Sequence, residues 1–208
     1  QCDITTKSAD IYLTSKTSEI LERKYPLDML TAFLLDDNLV AAELGVFQAD
    51  TCSYLAEQKQ FKKIYAIDPW CNTNKVSYIR PIESATNGQS WDEVFENAQK
   101  KCNNRVRFIR KLASDAIEDI REQLDFIFID ANHKYYHVID DLRRWYPLVK
   151  HGGIISGHDY STARHSGVVR AAKEFFSEKE QEFHPVLSDV RSSFINRLDD
   201  SVWWRQKK

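Results

Sequence analysis

The densest groups of acid–base and metal-binding side chains lie at two places, Asp130-Ala131-Asn132-His133 and Gly157-His158-Asp159. If Asp130 and Asp159 sit at the ends of neighbouring strands, they can share one divalent cation. Hard ions such as magnesium favour carboxylate and water oxygen, and an imidazole ligand shifts the preference toward manganese, iron or zinc. The residues alone leave magnesium, manganese, iron and zinc open, with His158 as the imidazole beside the two carboxylates. His133, three residues after Asp130, would stand next to that ion. An ordinary histidine titrates near neutrality, so its ring can take a proton from a substrate hydroxyl. The bland alternative for both histidines is a hydrogen-bonded structural role. His137, His151, His165 and His184 read as surface or packing residues.

A second group points to a ligand pocket. Leu39-Val40-Ala41-Ala42 is an apolar run too short for a helix, and Glu43-Leu44-Gly45 closes it. A carboxylate and a glycine at the carboxyl end of the first strand of an α/β sheet mark the usual ligand crevice. Glycine there would let a ligand approach the backbone. Neither G-x-G-x-x-G nor G-x-x-x-x-G-K-[ST] occurs in the run, so no phosphate cradle is present. A carboxylate without a phosphate nest suits a cationic or neutral nucleoside-like ligand. Asp68 ends the next apolar run, where an acidic side chain can accept both ribose hydroxyls. Trp70 follows it and offers an indole to line the nucleoside pocket, the alternative being packing beneath the loop.

The elements that must position these groups alternate. After an N-terminal helical region (about 16–36), apolar runs fall at 39–44, 64–68, 106–110, 125–130 and 152–157. Helical patterns at about 50–60, 91–102, 114–122, 136–147 and 165–178 separate or follow them. This alternation predicts an α/β fold, a doubly wound and mainly parallel sheet with right-handed crossovers. Two last runs, 183–187 and 192–198, are only four residues apart and read as a C-terminal hairpin with one antiparallel strand. The expected sheet therefore has seven strands. The whole of 1–208 reads as one domain, with 1–38 as a helical preface and 39–198 as the α/β core. The polar stretch 71–90 reads as a long loop of the kind that binds or covers ligands.

Composition narrows the classes. Of 208 residues, 29 are Lys or Arg and 31 are Asp or Glu, a net charge near −2 that gives no bulk attraction to nucleic acid. No apolar run is long enough to span a bilayer, so neither nucleic acid nor membrane is an expected partner. Four scattered cysteines form no C-x-x-C pair, against a zinc ribbon or a dense disulfide framework, and free thiols fit a cytoplasmic setting. The chain starts at Gln1, which leaves room for a removed leader. Self-association is left open.

Taken in order, Glu43-Leu44-Gly45, IYAIDPW at 64–70, LASDA at 112–116, FIDANHKYY at 128–136 and GGIISGHDY at 152–160 resemble the class I S-adenosylmethionine-dependent methyltransferases. The resemblance covers about residues 39–198. Within the class, the D-x-x-H and G-H-D segments are most similar to the branch of macrolide-sugar O-methyltransferases, and more distantly to catechol O-methyltransferase. The resemblance implies a Rossmann-like sheet and methyl transfer from S-adenosylmethionine to a hydroxyl of a small molecule. It implies that Glu43 and Gly45 face the methionine end of the cofactor, that Asp68 holds the ribose, and that Ser114 and Asp115 border the adenine. Asp130 would border the cofactor and, with His158 and Asp159, hold the metal; His133 would be the base. Two departures stand out. Ala49 replaces the second glycine of G-x-x-x-G, and His158-Asp159 replaces the carboxylate and amide of the catechol enzymes. A nucleotide-dependent oxidoreductase on a Rossmann sheet is a competing reading, weakened because Glu43 would repel a pyrophosphate. A non-catalytic relative that only binds the cofactor is another.

Overall fold

The centre of the molecule is the strand β1 (Leu39–Leu44), buried at every position. Its side chains alternate between two cores, as a strand covered on both faces requires. Val40, Ala42 and Leu44 face one apolar cluster, and Leu39 and Ala41 face the other. In the computed structural model, residues 26–71, 86, 88–162, 164–178, 184–185 and 202–208 are described. A helical segment α1 (26–31) precedes β1. Then follow α2 (Asp50–Glu57), β2 (Phe61–Ile67), α3 (Trp91–Lys101), β3 (Val106–Ile109), α4 (Ala113–Ala116), β4 (Leu124–Ile129), α5 (Tyr135–Trp145), β5 (Val149–Gly157), α6 (Ser166–Glu178), β6 (His184–Pro185) and β7 (Trp203–Gln206).

The sheet has seven strands in the order β3-β2-β1-β4-β5-β7-β6. All pairs from β3 to β5 are parallel, and β7 runs antiparallel to both β5 and β6. This is the doubly wound, mainly parallel sheet expected from the sequence. The chain reverses direction of build between β1 and β4, which opens a crevice at their carboxyl ends. Cores form on both faces. Val138, Leu142 and Trp145 of α5 and Ala171, Phe175 and Phe176 of α6 cover one, and Cys52 and Leu55 of α2 with Val94 and Ala98 of α3 cover the other.

Several expected boundaries shift. The second strand starts at Phe61 rather than Ile64, and the helix expected at 114–122 is one α-turn followed by a 3₁₀ turn at Ile117–Asp119. The antiparallel strand is Trp203–Gln206, beyond the run at 192–198, which lies outside the described residues. Its place is set by Trp203, which is fully buried and crosses the end of β5. A Cβ on Gly157 would overlap the Trp203 ring, so glycine is required where the two strands meet. Of the polar loop expected at 71–90, residues 71, 86 and 88–90 are described, Ser90 among them. It caps α3: its hydroxyl accepts from Glu93 N (3.2 Å) and Glu93 accepts from Ser90 N (2.7 Å). Such a reciprocal cap satisfies two amide donors that the first turn of α3 would otherwise leave to water.

Candidate active site

One hydrogen-bond register lines up the candidate residues. Each strand's ladder continues one residue past its end. Gly45 N donates to Ile67 O (2.9 Å), Asp68 N to Ile109 O (3.3 Å), Asp130 N to Leu44 O (2.8 Å) and His158 N to Ile129 O (3.0 Å). Gly45, Asp68, Asp130 and His158 therefore stand side by side on one edge of the sheet.

At the β1 end, Gly45 has φ +86°, a conformation that favours glycine. A Cβ at Gly45 would overlap the Asp130 carbonyl and the Ala131 backbone, so the glycine also lets the chain leaving β4 pass. Glu43 is also buried, on the α2 side of the sheet, and the Cys52 thiol donates to it. Burial first, then the Glu43 charge, push the Cys52 thiol well above its ordinary range, so it stays protonated. Ala49 has φ +60°, in the left-handed region where the related pattern carries glycine.

Asp68 is held by the turn it faces. One carboxylate oxygen accepts from Val46 N (3.0 Å) and Phe47 N (3.1 Å), the other from Trp70 N (2.8 Å). Burial raises its pKa, against those three amides, which lower it. Each oxygen has two lone pairs, so Asp68 keeps acceptor capacity while fixing the loop. Trp70 takes the packing alternative. It is fully buried against Phe95 and Phe108 (ring centroids 4.8 and 5.8 Å), and its indole N–H donates to Phe47 O (2.8 Å). The indole thus lies in the core beneath the loop, a correction to its expected place lining the nucleoside pocket. At the end of β3, Ser114 Oγ and the exposed Asp115 are joined at 3.0 Å on the first turn of α4.

The second constellation is tighter. His133 Nε2 lies 2.7 Å from Asp159 Oδ2 and 3.5 Å from Asp130 Oδ1. His158 Nδ1 lies 3.3 Å from the other Asp159 oxygen. Burial works against charge on His133, but its bonds to Asp130 and Asp159 outweigh this and raise its pKa to about 9. Burial likewise opposes charge on Asp159, yet His133 and His158 hold its carboxyl far below the usual range. The hydrogen bonds to the two aspartates thus favour the protonated form of the His133 ring. Donor atoms of Asp130, His158 and Asp159 all lie within 4.8 Å of one another, so the expected metal ligands are brought together.

Two further residues belong here. His165, read from the sequence as surface or packing, stands 3.8 Å from Asp159 Oδ1 and packs edge-on against His133 (4.6 Å between rings). Asp159 has φ +58°, which turns the chain so that Ser161 N bonds Asp159 O (2.8 Å) and His165 N bonds Ser161 O (3.0 Å). A Cβ on Gly167 would overlap His133 O, so the first turn of α6 lies directly on the 133–135 backbone. Asn132 is the other addition. Its side-chain oxygen accepts from Lys134 N (2.9 Å), while among the described residues its buried Nδ2 has no acceptor. An enclosed donor left unmade costs about 1–3 kcal/mol, which a ligand oxygen would recover.

Comparison with known proteins gives concordant results. The family described as "Methyltransferase domain" matches residues 42–160, more than half of the chain. The uncharacterized protein R132 of Acanthamoeba polyphaga mimivirus is 26% identical over 141 residues, 65% of this chain and 58% of that protein. The match thus spans less than two thirds of the viral protein's length. Among solved structures, the O-methyltransferase NovP superposes with TM-score 0.63 at 17% identity, covering 92% of this chain and 81% of that one. SMU.1697c of Streptococcus mutans, solved in complex with SAH, gives 0.60 at 12% identity over 88% and 96%. The calicheamicin methyltransferase CalS11 gives 0.59 at 13% identity over 98% of both chains. At these identities the superpositions speak for the fold.

Proposed function

Because the chain belongs to the methyltransferase-domain family, we propose that it carries a methyl group from S-adenosylmethionine to a hydroxyl of a small molecule. In this reading His133 takes the hydroxyl proton beside a divalent cation held by Asp130, Asp159 and His158. The observation that carries it is the convergence of Asp130, His133 and Asp159 on the same sheet edge as Gly45 and Asp68.

The residues at the β1, β2 and β3 ends suit S-adenosylmethionine. Asp68 keeps one acceptor position, on the oxygen that Trp70 N also bonds, for a ribose hydroxyl, and Ser114-Asp115 supplies acceptors for an amino group. Glu43 places negative charge under the crevice, which favours a sulfonium and an ammonium over a pyrophosphate. That last point also speaks against the nucleotide-dependent oxidoreductase.

The β4 and β5 ends suit a cation. Two carboxylates and an imidazole whose donor atoms lie within 4.8 Å of one another form a donor set for such an ion. Such an ion, when bound, would lower the pKa of the acceptor hydroxyl and compete with His133 for the carboxylates. The chain's own residues do the rest. Asp159 orients the His133 ring through Nε2, and the α6 turn at Gly167 fixes its backbone. His133 must be neutral to accept a proton, so weakening its hold on Asp130 and Asp159 prepares it as base. Asn132 Nδ2 offers a donor to an acceptor oxygen. Displacement at the methyl group is in line, so alignment of the two substrates is the main contribution required of the protein.

The test is transfer of labelled methyl from S-adenosylmethionine across a panel of sugars, catechols and other small alcohols, with and without chelator, magnesium and manganese. Transfer that is lost on chelation and restored by either ion supports the reading. Full turnover in excess chelator removes the cation, and absence of S-adenosylhomocysteine binding removes the methyltransferase assignment of the site.

A further inference from the structure

The carboxylate of Asp159 serves two overlapping donor sets. One contains Asp130 and His158, the set discussed above. The other contains His133 and His165, whose Nε2 atoms lie 2.7 and 3.8 Å from opposite oxygens of Asp159, all three donors being within 4.8 Å of one another. A tetrahedral centre with bonds of about 2.0–2.2 Å places its donors about 3.3–3.6 Å apart. The two observed separations run to different oxygens of Asp159, but one donor from each residue lies within 4.8 Å of the others, so rotation of the carboxylate and the two imidazoles would bring them to a common ion. His133 and His165 already meet edge to face, with planes at 85°. Their backbones are braced, His165 N by Ser161 O and the 133–135 segment by Gly167. The side chains are enclosed but not sealed, at 24, 10 and 18% exposure for His133, Asp159 and His165, which leaves room for a water as a fourth ligand.

We propose that His133, Asp159 and His165 form a second cation site, selective for a borderline transition ion such as zinc, whose occupation takes His133 out of proton transfer. The chemistry of the donors sets the selectivity. Two imidazoles and one carboxylate suit zinc, cobalt or nickel, whereas magnesium prefers oxygen donors and near-octahedral geometry. Coordination would release to solvent the proton that Nε2 holds toward Asp159, and the lone pair so freed, once shared with the ion, is not available to an acceptor proton. Zinc would therefore inhibit in the presence of magnesium by capturing the base, a consequence that rests on the reading of His133 above. The two sets share Asp159, so the ions would compete there, and two imidazole donors hold the transition ion against magnesium.

The test uses the full chain, freed of metal, titrated with cobalt(II) and followed by its visible ligand-field absorption. The expected result is a band that millimolar magnesium fails to abolish. His165→Ala and His165→Gln should each weaken cobalt binding by at least about tenfold, the lower edge of what even an outer partner of a ligand costs. His158→Ala should leave it within error of the parent. Melting curves of each variant establish that it is folded. Equal cobalt affinity in folded His165 variants overturns the proposal, as does loss in His158→Ala with retention in His165→Ala. Isothermal titration with S-adenosylhomocysteine on the same samples separates the two readings. Failure to bind it sinks the methyltransferase reading and leaves the ion site standing. Normal binding with cobalt indifferent to His165 sinks the ion site alone.

Discussion

Asp141 offers a stability test that is independent of the substrate. It sits in the middle of α5, buried on the face that also carries Val138, Leu142 and Trp145. Burial first, and then the neighbouring Asp140, push its carboxyl to about 7 from an ordinary 3.8; Arg144 opposes this but is bonded to Asp140 at 2.7 Å. Each tenfold change in proton affinity is about 1.4 kcal/mol, so ionising Asp141 in the fold costs about 4 kcal/mol of stability. The folded pKa lies above the unfolded one. The stability is therefore full below about pH 4 and is lost as pH rises through about 7. Between pH 5.5 and 8 the expected loss from this group is about 2 kcal/mol. Asp141→Asn replaces the carboxyl with a neutral group of nearly the same shape and should remove that slope. Urea unfolding of both proteins at pH 5.5 and 8 gives the comparison, because the other titrating groups cancel in the difference. The variant should gain about 2 kcal/mol on the parent over that interval, with unchanged m-values. Parallel pH dependence in the two proteins would refute the argument and place Asp141 in contact with water.

The remaining predictions concern the sheet edge. Gly45→Ala must place a methyl against the Asp130 carbonyl at φ +86°, and should destabilise by at least about 2 kcal/mol in chemical unfolding; a loss below 1 kcal/mol would mean the two chains separate easily. Asp68→Asn leaves one amide N–H of the turn facing another donor, so the unliganded protein should lose about 1–3 kcal/mol and also bind S-adenosylhomocysteine more weakly by calorimetry. An effect on binding alone would show that the carboxylate does not hold the turn. His133→Ala should reduce kcat by about 100- to 10,000-fold on a true acceptor, with S-adenosylhomocysteine affinity retained. Near-parental kcat would send the proton by another route.

What was legible in the sequence is what local pattern controls. Short, mainly apolar runs such as LVAAEL and DFIFID, bounded by turn signals, read as strands covered on both faces, and the polar residue at the end of each falls on one edge by register. That was enough to bring Asp68, Asp130, His158 and Asp159 to one edge. The strand Trp203–Gln206 was not legible, because WWRQ at a chain end carries no turn signal and its pairing is fixed by Gly157, some 46 residues earlier. Trp70 was ambiguous for the same kind of reason. Its position depends on Phe95 and Phe108, which arrive from two other elements.

The G-H-D segment shows why His165 escaped notice. Its three residues do separate jobs. Gly157 is small so that Trp203 can cross β5, His158 continues the β4–β5 ladder, and Asp159 takes a left-handed backbone that bends the chain away from the sheet. A left-handed aspartate costs about 1–2 kcal/mol, and such strain persists where surrounding contacts hold it. Here Ser161 and the first turn of α6 do so, and their effect is to return His165 to the carboxylate from which the bend began. No periodicity announces a histidine six residues past a strained turn. The spacing has meaning only once the bend is known. The same bend makes Asp159 the common member of both proposed donor sets, so the residue that shapes the loop is the one for which the two ions would compete.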